Sequence, residues 1–329
     1  TAAGGAGGLG IVLIKHAGVP PRHTITANGD VANARGAELD STYTKVDAIT
    51  ATGASTWTCP AGVTSAEILV VGGGGGSGRN QGGGGGAGGL VHHATYTVVP
   101  AVVYDITIGT GGAACDAYAS LPTSANDGVD SVFNVNSEGS GSPMTAVGGG
   151  AGGAENDART GGSGGGGNGN VGSRQSGATG SQGDSGGGTG YGNDGGDGAS
   201  SPARGGGGGG ADEAGNIDGQ GFGGDGKLFS TFTGYGTDSS NVASTGANGG
   251  YFGGGGAGGN QTASPGIGGG GTNEGATSKM DGLANTGGGG GANNHDALGG
   301  DGGTGVVLIA YEQEKPGTSS IYFDGTGDY

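Results

Sequence analysis

Apolar residues in this chain are confined to a few short runs separated by long stretches with almost none. Ser55–Cys59 and Ala66–Val71 read as strands, the first stopped by Pro60 and the turn Ala61-Gly62. Leu90–Val98 and Val102–Ile108 read as a hairpin around Pro100. In its second arm Val102, Tyr104, Ile106 and Ile108 share one face while Asp105 and Thr107 take the other, the period of a half-buried strand. Asp130–Val135 and Met144–Val147 are weaker strands, and Val306–Tyr311 is continuously apolar. Tyr43–Val46 and His23–Thr26 are short candidates in a polar stretch. Near the start, glycines run into Ile11-Val12-Leu13-Ile14, and near the end Gly302-Gly303-Thr304-Gly305 runs into Val306 in the same way. The first 16 residues therefore read as the close of a preceding glycine-rich domain, and Ile321-Tyr322-Phe323 as the opening strand of a further module.

Between Gly148 and Thr304 the pattern disappears, because glycine, Ala, Ser, Thr, Asn and Asp leave no apolar area from which to build a core. Such a stretch is either a flexible linker or a set of main chains packed directly on one another as three-residue-per-turn extended helices. The glycines favour the second reading. They come in blocks (Gly164–Gly167, Gly205–Gly210, Gly253–Gly256, Gly268–Gly271, Gly287–Gly291) spaced by turn-like inserts such as Asn193-Asp194-Gly195-Gly196, a pattern of rods and turns. A rod of this kind makes no internal hydrogen bonds, so each N–H and C=O must be met from the side. At about 3.1 Å per residue, eight to ten residues would make a rod of about 25–30 Å. Collagen is excluded, since glycine does not recur at every third position and the chain has only 9 prolines.

The expected fold is mainly β plus irregular: a small antiparallel β portion with a bundle of packed polyglycine or polyproline II-type helices, and essentially no α-helix. The expected divisions are 1–16, the end of a preceding glycine-rich domain; 17–50, a linker or sandwich-edge strands; 51–147, the β-rich part; 148–304, the bundle; 305–311, a closing strand; and 312–329, a linker and the start of a sandwich module.

Composition narrows the function classes. With 31% hydrophobic and 5% aromatic residues the chain can bury one modest β core, and a net charge of −17 argues against nucleic acid or an anionic membrane surface as partner. No apolar run is long enough to span a bilayer as a helix, so membrane insertion is not expected. Cys59 and Cys115 are an even pair that could form a disulfide or remain two small buried thiols.

No catalytic chemistry or cofactor site stands out. Gly72–Gly78 follows a strand but lacks the Gly-Lys-Ser/Thr of a phosphate-binding loop. His92 and His93 are adjacent on a strand and face opposite sides, so they do not share a metal. Asp127 with Asp130, and Asp194 with Asp197, sit in glycine-rich turns but lack a full acidic calcium ladder, and read as solvated turn aspartates. No nucleophile, base and acid can be grouped, and no metal, cofactor or enzymatic activity is expected. The aromatics of the long glycine region, Phe229, Phe232, Tyr235, Tyr251 and Phe252, are the candidates for touching a receptor; the alternative is packing between rods or against the β part.

Thr56-Trp57-Thr58-Cys59-Pro60-Ala61-Gly62-Val63-Thr64, then Glu67–Val71 and Gly72–Gly76, resembles the opening of glycine-rich domains in phage tail fibres and related virion proteins. The likeness continues through Gly82–Leu90, Tyr104–Gly112 and Gly305–Tyr311. Cys59 departs from the apolar residue usual at its place. His23–Asp30 and Ser320–Tyr329 resemble edges of laminin-G or concanavalin-like sandwich modules. The resemblance implies a non-enzymatic virion protein, a tail-fibre or adhesin segment whose stiff shaft displays host-recognition loops. Its implied partners are copies of itself or neighbouring virion subunits, and a host surface glycan or outer-membrane protein. The alternative is a self-assembling extracellular filament or matrix subunit.

Overall fold

A computed structural model describes residues 42–314, apart from 116–124, 140, 155, 170–174, 217–219, 260–262, 274–279 and 294–298. The expectations placed on residues 1–41 and 315–329 lie outside the described residues. The strands are β1 (Thr42–Ile49), β2 (Gly53–Thr58), β3 (Ser65–Val71), β4 (Leu90–Thr97), β5 (Val103–Ile108), β6 (Ser131–Phe133), β7 (Met144–Ala146), β8 (Thr189–Tyr191), β9 (Ala199–Ser200), β10 (Ala203–Arg204), β11 (Lys227–Leu228), β12 (Tyr251–Phe252) and β13 (Val306–Glu314). They form a five-stranded sheet in the order β1-β13-β3-β4-β8, a four-stranded sheet β2-β5-β6-β7 and two small hairpins, every pairing antiparallel. A single 3₁₀ turn at Ser230–Phe232 is the helical piece among the described elements, so the fold is mainly β with essentially no helix.

β4 and β5 do not form the hairpin that their spacing suggests. β4 pairs with β3 in the larger sheet, whereas β5 pairs with β2 in the smaller one, with Trp57 opposite Tyr104. The chain crosses between layers at Val99–Val102, where Ala101 takes a left-handed φ of 61°. Cross-layer packing explains the choice: Tyr104, Ile106 and Ile108 face Ile68, Val70, Val307 and Ile309 in one core that also holds Trp57, Phe133 and Met144. Burying rings of this size contributes about 1.5–3 kcal/mol each.

The larger sheet is covered on its other face as well. Leu69, Val71, Leu90, Val306, Leu308 and Ala310 point away from the first core into a second one, closed by Phe229, Phe232, Phe252 and Ala211. The continuous apolar runs Ile68–Val71 and Val306–Ala310 are thus central strands buried on both sides. From these strands the chain runs straight into glycine segments: Val71 into Gly72, Gly89 into Leu90, Gly305 into Val306.

Candidate functional site at the loop-bearing end of the bundle

The glycine segments pack as laterally bonded rods, and their partners repeat every third residue. In the rod Gly72–Gly78, the amides of Gly73 and Gly76 donate to Val129 and Asn126. Those of Gly74 and Ser77 donate to Gly303 and Gly300, and those of Gly75 and Gly78 to Gly86 and Gly83, all at 2.9–3.1 Å. Its carbonyls follow the same period: Gly149 and Gly152 donate to Gly73 and Gly76, Gly112 and Cys115 to Gly74 and Ser77, and Gly290 to Gly75. Three donor directions and three acceptor directions surround the rod with six neighbours, as a threefold extended helix requires. Gly82–Gly89 is surrounded in the same way by segments around 150, 165, 207, 257 and 288 together with the first rod. The bundle therefore draws on glycine segments from both sides of residue 148, and the two rods nearest its axis come from 72–89. These rods hold seven and eight residues, about 22–25 Å at 3.1 Å per residue.

Side chains are excluded by contact. A Cβ on Gly83 would lie well under 3.0 Å from the Gly166 carbonyl oxygen, and so would one on Gly85 from that of Gly75. Where a side chain is present it has a task. Ser77, fully buried, donates through Oγ to the Gly291 carbonyl at 2.8 Å and accepts from the Gly300 amide at 2.9 Å.

At the rim, where a rod lacks an outer neighbour, aspartates supply the missing acceptor. Asp127 and Asp130 accept from the amides of Ala151 and Gly148, at 2.9 and 2.8 Å. Asp194 and Asp197 accept in the same way from Gly180 and Gly177, at 2.8 and 2.9 Å. Both pairs belong to one motif, Asn-Asp-Gly-x-Asp, at 126–130 and 193–197, and its three-residue spacing matches the rod period. The sequence reading of these residues as solvated turn aspartates misses this role, although the repeated motif is there to be found. Among the described residues, no group of three or more His, Cys, Asp or Glu is placed to hold a metal ion.

The rod ends sort to two poles. The turn Arg79–Gln81 joins the two innermost rods, and the rod ends flanking the other turns lie level with it. Cys115 and Asn126 bond beside Ser77 and Gly76, Gly153 beside Gly83, Gly169 and Asn293 at Gln81, Gly259 at Gly82, and Gly300 at Ser77. The hairpin of β9 and β10 leads into Gly205, which packs on Gly82 and Gln81. At the opposite pole, Thr42 of β1 and Glu314 of β13 are paired, so the two strands that bound the described fold end side by side, away from the Arg79–Gln81 turn. A family model for the glycine-rich domain matches residues 49–312. The chain belongs to that family. No curated protein matches the sequence.

Within this glycine-rich domain the aromatic candidates are not at the loop-bearing pole. Phe229, Phe232 and Phe252 are 7%, 0% and 0% exposed and close the second core against the larger sheet. They are packing residues rather than an exposed receptor surface, because the second face of that sheet has to be covered. Tyr235 is half-buried against the same core, and Tyr251 is half-buried opposite Leu228. Cys59 and Cys115 are not bonded to each other. Cys59 sits in the first core, where burial pushes its thiol pKa up, and Cys115 lies in a separate cluster with Ala125, Ala151 and Ala154.

His92 and His93 do face opposite sides: His92 stands against Phe229 and 2.9 Å from Glu67, while His93 meets Tyr96 edge-on. The other Glu67 oxygen accepts from Thr231 Oγ1 at 2.9 Å. This carboxylate borders a cleft of about 460 Å³ lined also by Thr44, Thr64, Tyr311 and Glu312, at the sheet end of the domain. Nearby, burial raises the Asp47 carboxyl, but hydrogen bonds from Trp57 Nε1 and Tyr311 Oη, at 2.9 and 2.8 Å, and from Lys45 outweigh it and hold the group below its ordinary pKa. These contacts act as struts between β1, β2 and β13.

Proposed function

We propose that this glycine-rich domain is a non-enzymatic structural part of a virion, a tail-fibre or adhesin segment that holds recognition loops on a stiff base. The observation that carries this reading is the separation of the two poles. Both chain passages lie together at the sheet end, and the Arg79–Gln81 turn, with the described rod ends level with it, lies at the other. A domain held at its base by paired strands presents its turns outward, and a six-neighbour rod lattice fixes their positions more firmly than free loops would be fixed. The resemblance of Thr56–Gly76 to virion glycine-rich domains supports the same reading. A host surface glycan or outer-membrane protein is the partner this reading assigns to the turns, and the virion is its location.

A second reading, a self-assembling extracellular filament, is favoured by one feature: among the described residues β1 is an edge strand eight residues long whose outer side pairs with no other strand, where a neighbouring copy could add. Electron microscopy of native particles labelled with an antibody to this chain tests both. Label on tail-attached fibres is expected. Label on free filaments built of this chain alone overturns the first reading in favour of the second, and loss of a surface polymer on incubation with the purified protein overturns the non-enzymatic claim.

A further inference from the structure

We propose that spontaneous imide formation in this domain begins at Asn248, and that the rod lattice holds it back at the other described steps where Asp or Asn precedes glycine. The inference needs only the lattice and does not rest on the display reading.

The chemistry sets what must be restrained. Before a glycine, which has no Cβ to obstruct the approach, the side chain of Asp or Asn is open to attack on its Cγ by the glycine amide nitrogen. The new N–C bond closes a five-membered imide as ammonia leaves from Asn, or water from Asp, carrying off the amide proton. Water then opens the ring at either carbonyl, and opening at the α-carbonyl leaves isoaspartate, with an extra carbon in the backbone. In a rod, that carbon would shift every later residue out of the three-residue register. The reaction needs a glycine amide free to give up its proton and a side chain free to swing onto it.

Among the described residues there are eight such steps, six after aspartate and two after asparagine, and in every one the glycine amide is engaged. From Gly128 to Gly302, each donates to a main-chain carbonyl at 2.7–3.1 Å. The six aspartates are held as well. Oδ1 of Asp127, Asp194, Asp197, Asp225, Asp281 and Asp301 each accepts a different main-chain amide, at 2.7–2.9 Å. Nitrogen and carboxyl are thus drawn to different neighbours. The bonding that satisfies the lattice also keeps the two reacting groups apart.

The two Asn-Gly steps differ. Asn168 is 3% exposed and its Nδ2 donates to the Ala154 carbonyl, while the Gly169 amide donates to Gln81 within the lattice. Asn248 closes an exposed run, Thr245–Asn248, outside the rods. Its Oδ1 lies 3.5 Å from Ser244 Oγ, whose single proton is shared with the nearer carbonyls of Thr233 and Gly246, at 2.9 and 3.0 Å. The Gly249 amide donates to Thr233 at 2.9 Å, so a local opening of this loop frees nitrogen and side chain together. At the rod steps, neighbouring rods must part first.

The test incubates the full chain at mildly alkaline pH, folded and in urea, and follows each step by peptide mapping with mass spectrometry. The folded rate of a step is divided by its own rate in urea, which removes the intrinsic difference between Asp and Asn. That ratio should be largest for Asn248 and smaller by about tenfold or more for Asn168 and for the six aspartyl steps, because these wait on an opening of the lattice. Asn248→Gln, whose longer side chain cannot close the five-membered ring, should remove the earliest product of the folded chain. Its melting temperature should not move, since that side chain is exposed. A ratio at Asn168 equal to that at Asn248 overturns the proposal. So do aspartyl steps that react as fast folded as in urea, or an earliest product that persists in Asn248→Gln.

Discussion

The two halves of this domain are stabilised by opposite means. In the sandwich, side chains meet between sheets: Trp57, Tyr104 and Phe133 fill one core, and Phe229, Phe232 and Phe252 close another. In the bundle, main chains meet because side chains are missing, and the amides and carbonyls of Gly72–Gly78 bond to six neighbours with scarcely an apolar atom beyond Cα. Each such bond nets only about 0.5–1.5 kcal/mol, with Cα–H···O contacts adding less. The lattice is stable through number, and because burying an amide without a partner costs more than the bond is worth. A residue in the sandwich is therefore valued for what it adds, and a residue in the bundle for what it omits.

The severest test of this contrast adds atoms at the bundle's axis. Gly83→Val places a branched side chain where even a Cβ would lie well under 3.0 Å from the Gly166 carbonyl oxygen. It separates rods that Gly83 and Gly153 hold through 2.8 and 2.9 Å bonds. Overpacking normally costs about 1–3 kcal/mol, but here several rods must part together, and the expected outcome is no folded protein, seen as loss of the cooperative melt. The matching change in the sandwich removes atoms: Phe133→Ala, in a ring stacked on Tyr104 at 5.5 Å, should lower stability by about 3–5 kcal/mol in denaturant melts while still folding. If Gly83→Val melts like the parent, the rods are not close-packed in solution and the contrast fails.

Much of this was legible in the sequence, for different reasons in the two halves. The strands declared themselves through alternation in Val102–Ile108 and through unbroken apolar runs at Ile68–Val71 and Val306–Tyr311. Those unbroken runs carried more than they were credited with. A strand buried on both faces needs a second cover, and Lys227–Tyr235 with Tyr251-Phe252 is the aromatic stretch available to supply it. That demand decides between the two readings open for the three phenylalanines, receptor contact and packing against the β part, in favour of packing. The rods were legible as glycine blocks, but which block meets which was not, because one bare backbone offers a neighbour the same groups as any other. The residues that break the monotony carry the missing information: Ser77 inside, and the repeated Asn-Asp-Gly-x-Asp at the rim.

Smaller changes sharpen the comparison at its edges. In the sandwich, Asp47 is held below its ordinary carboxyl pKa of 3.8 although burial opposes this, because Trp57, Tyr311 and Lys45 donate to it. A carboxyl with a depressed folded pKa stabilises the fold above its unfolded pKa and loses that contribution as pH falls through the folded one. Asp47→Asn should therefore cost about 1–2 kcal/mol at neutral pH, and its deficit against the parent should shrink once both are melted well below pH 3.8. A deficit independent of pH would mean that shape, not charge, is what Asp47 contributes. At the bundle rim, Asp194→Ala removes the acceptor for the Gly180 amide, an exposed bond worth about 0.5–1.5 kcal/mol. Asp194→Asn keeps an acceptor oxygen and should recover most of the loss in melting temperature.

The smallest effect discriminates best, because it has the opposite sign. If glycine as such stabilised this domain, every Gly→Ala change would weaken it. If close approach is the reason, the cost should vanish where nothing approaches. Gly183 is such a place: a Cβ there would meet no atom within 4 Å, and its φ lies outside the left-handed region. Alanine then narrows the unfolded ensemble without disturbing the folded one, a gain of about 0.4–1 kcal/mol. Gly183→Ala should melt slightly higher than the parent, whereas the same change at Gly85, whose Cβ would strike the Gly75 carbonyl, should melt far lower. Equal losses at the two positions would show that the lattice depends on backbone freedom rather than on the space a missing side chain leaves.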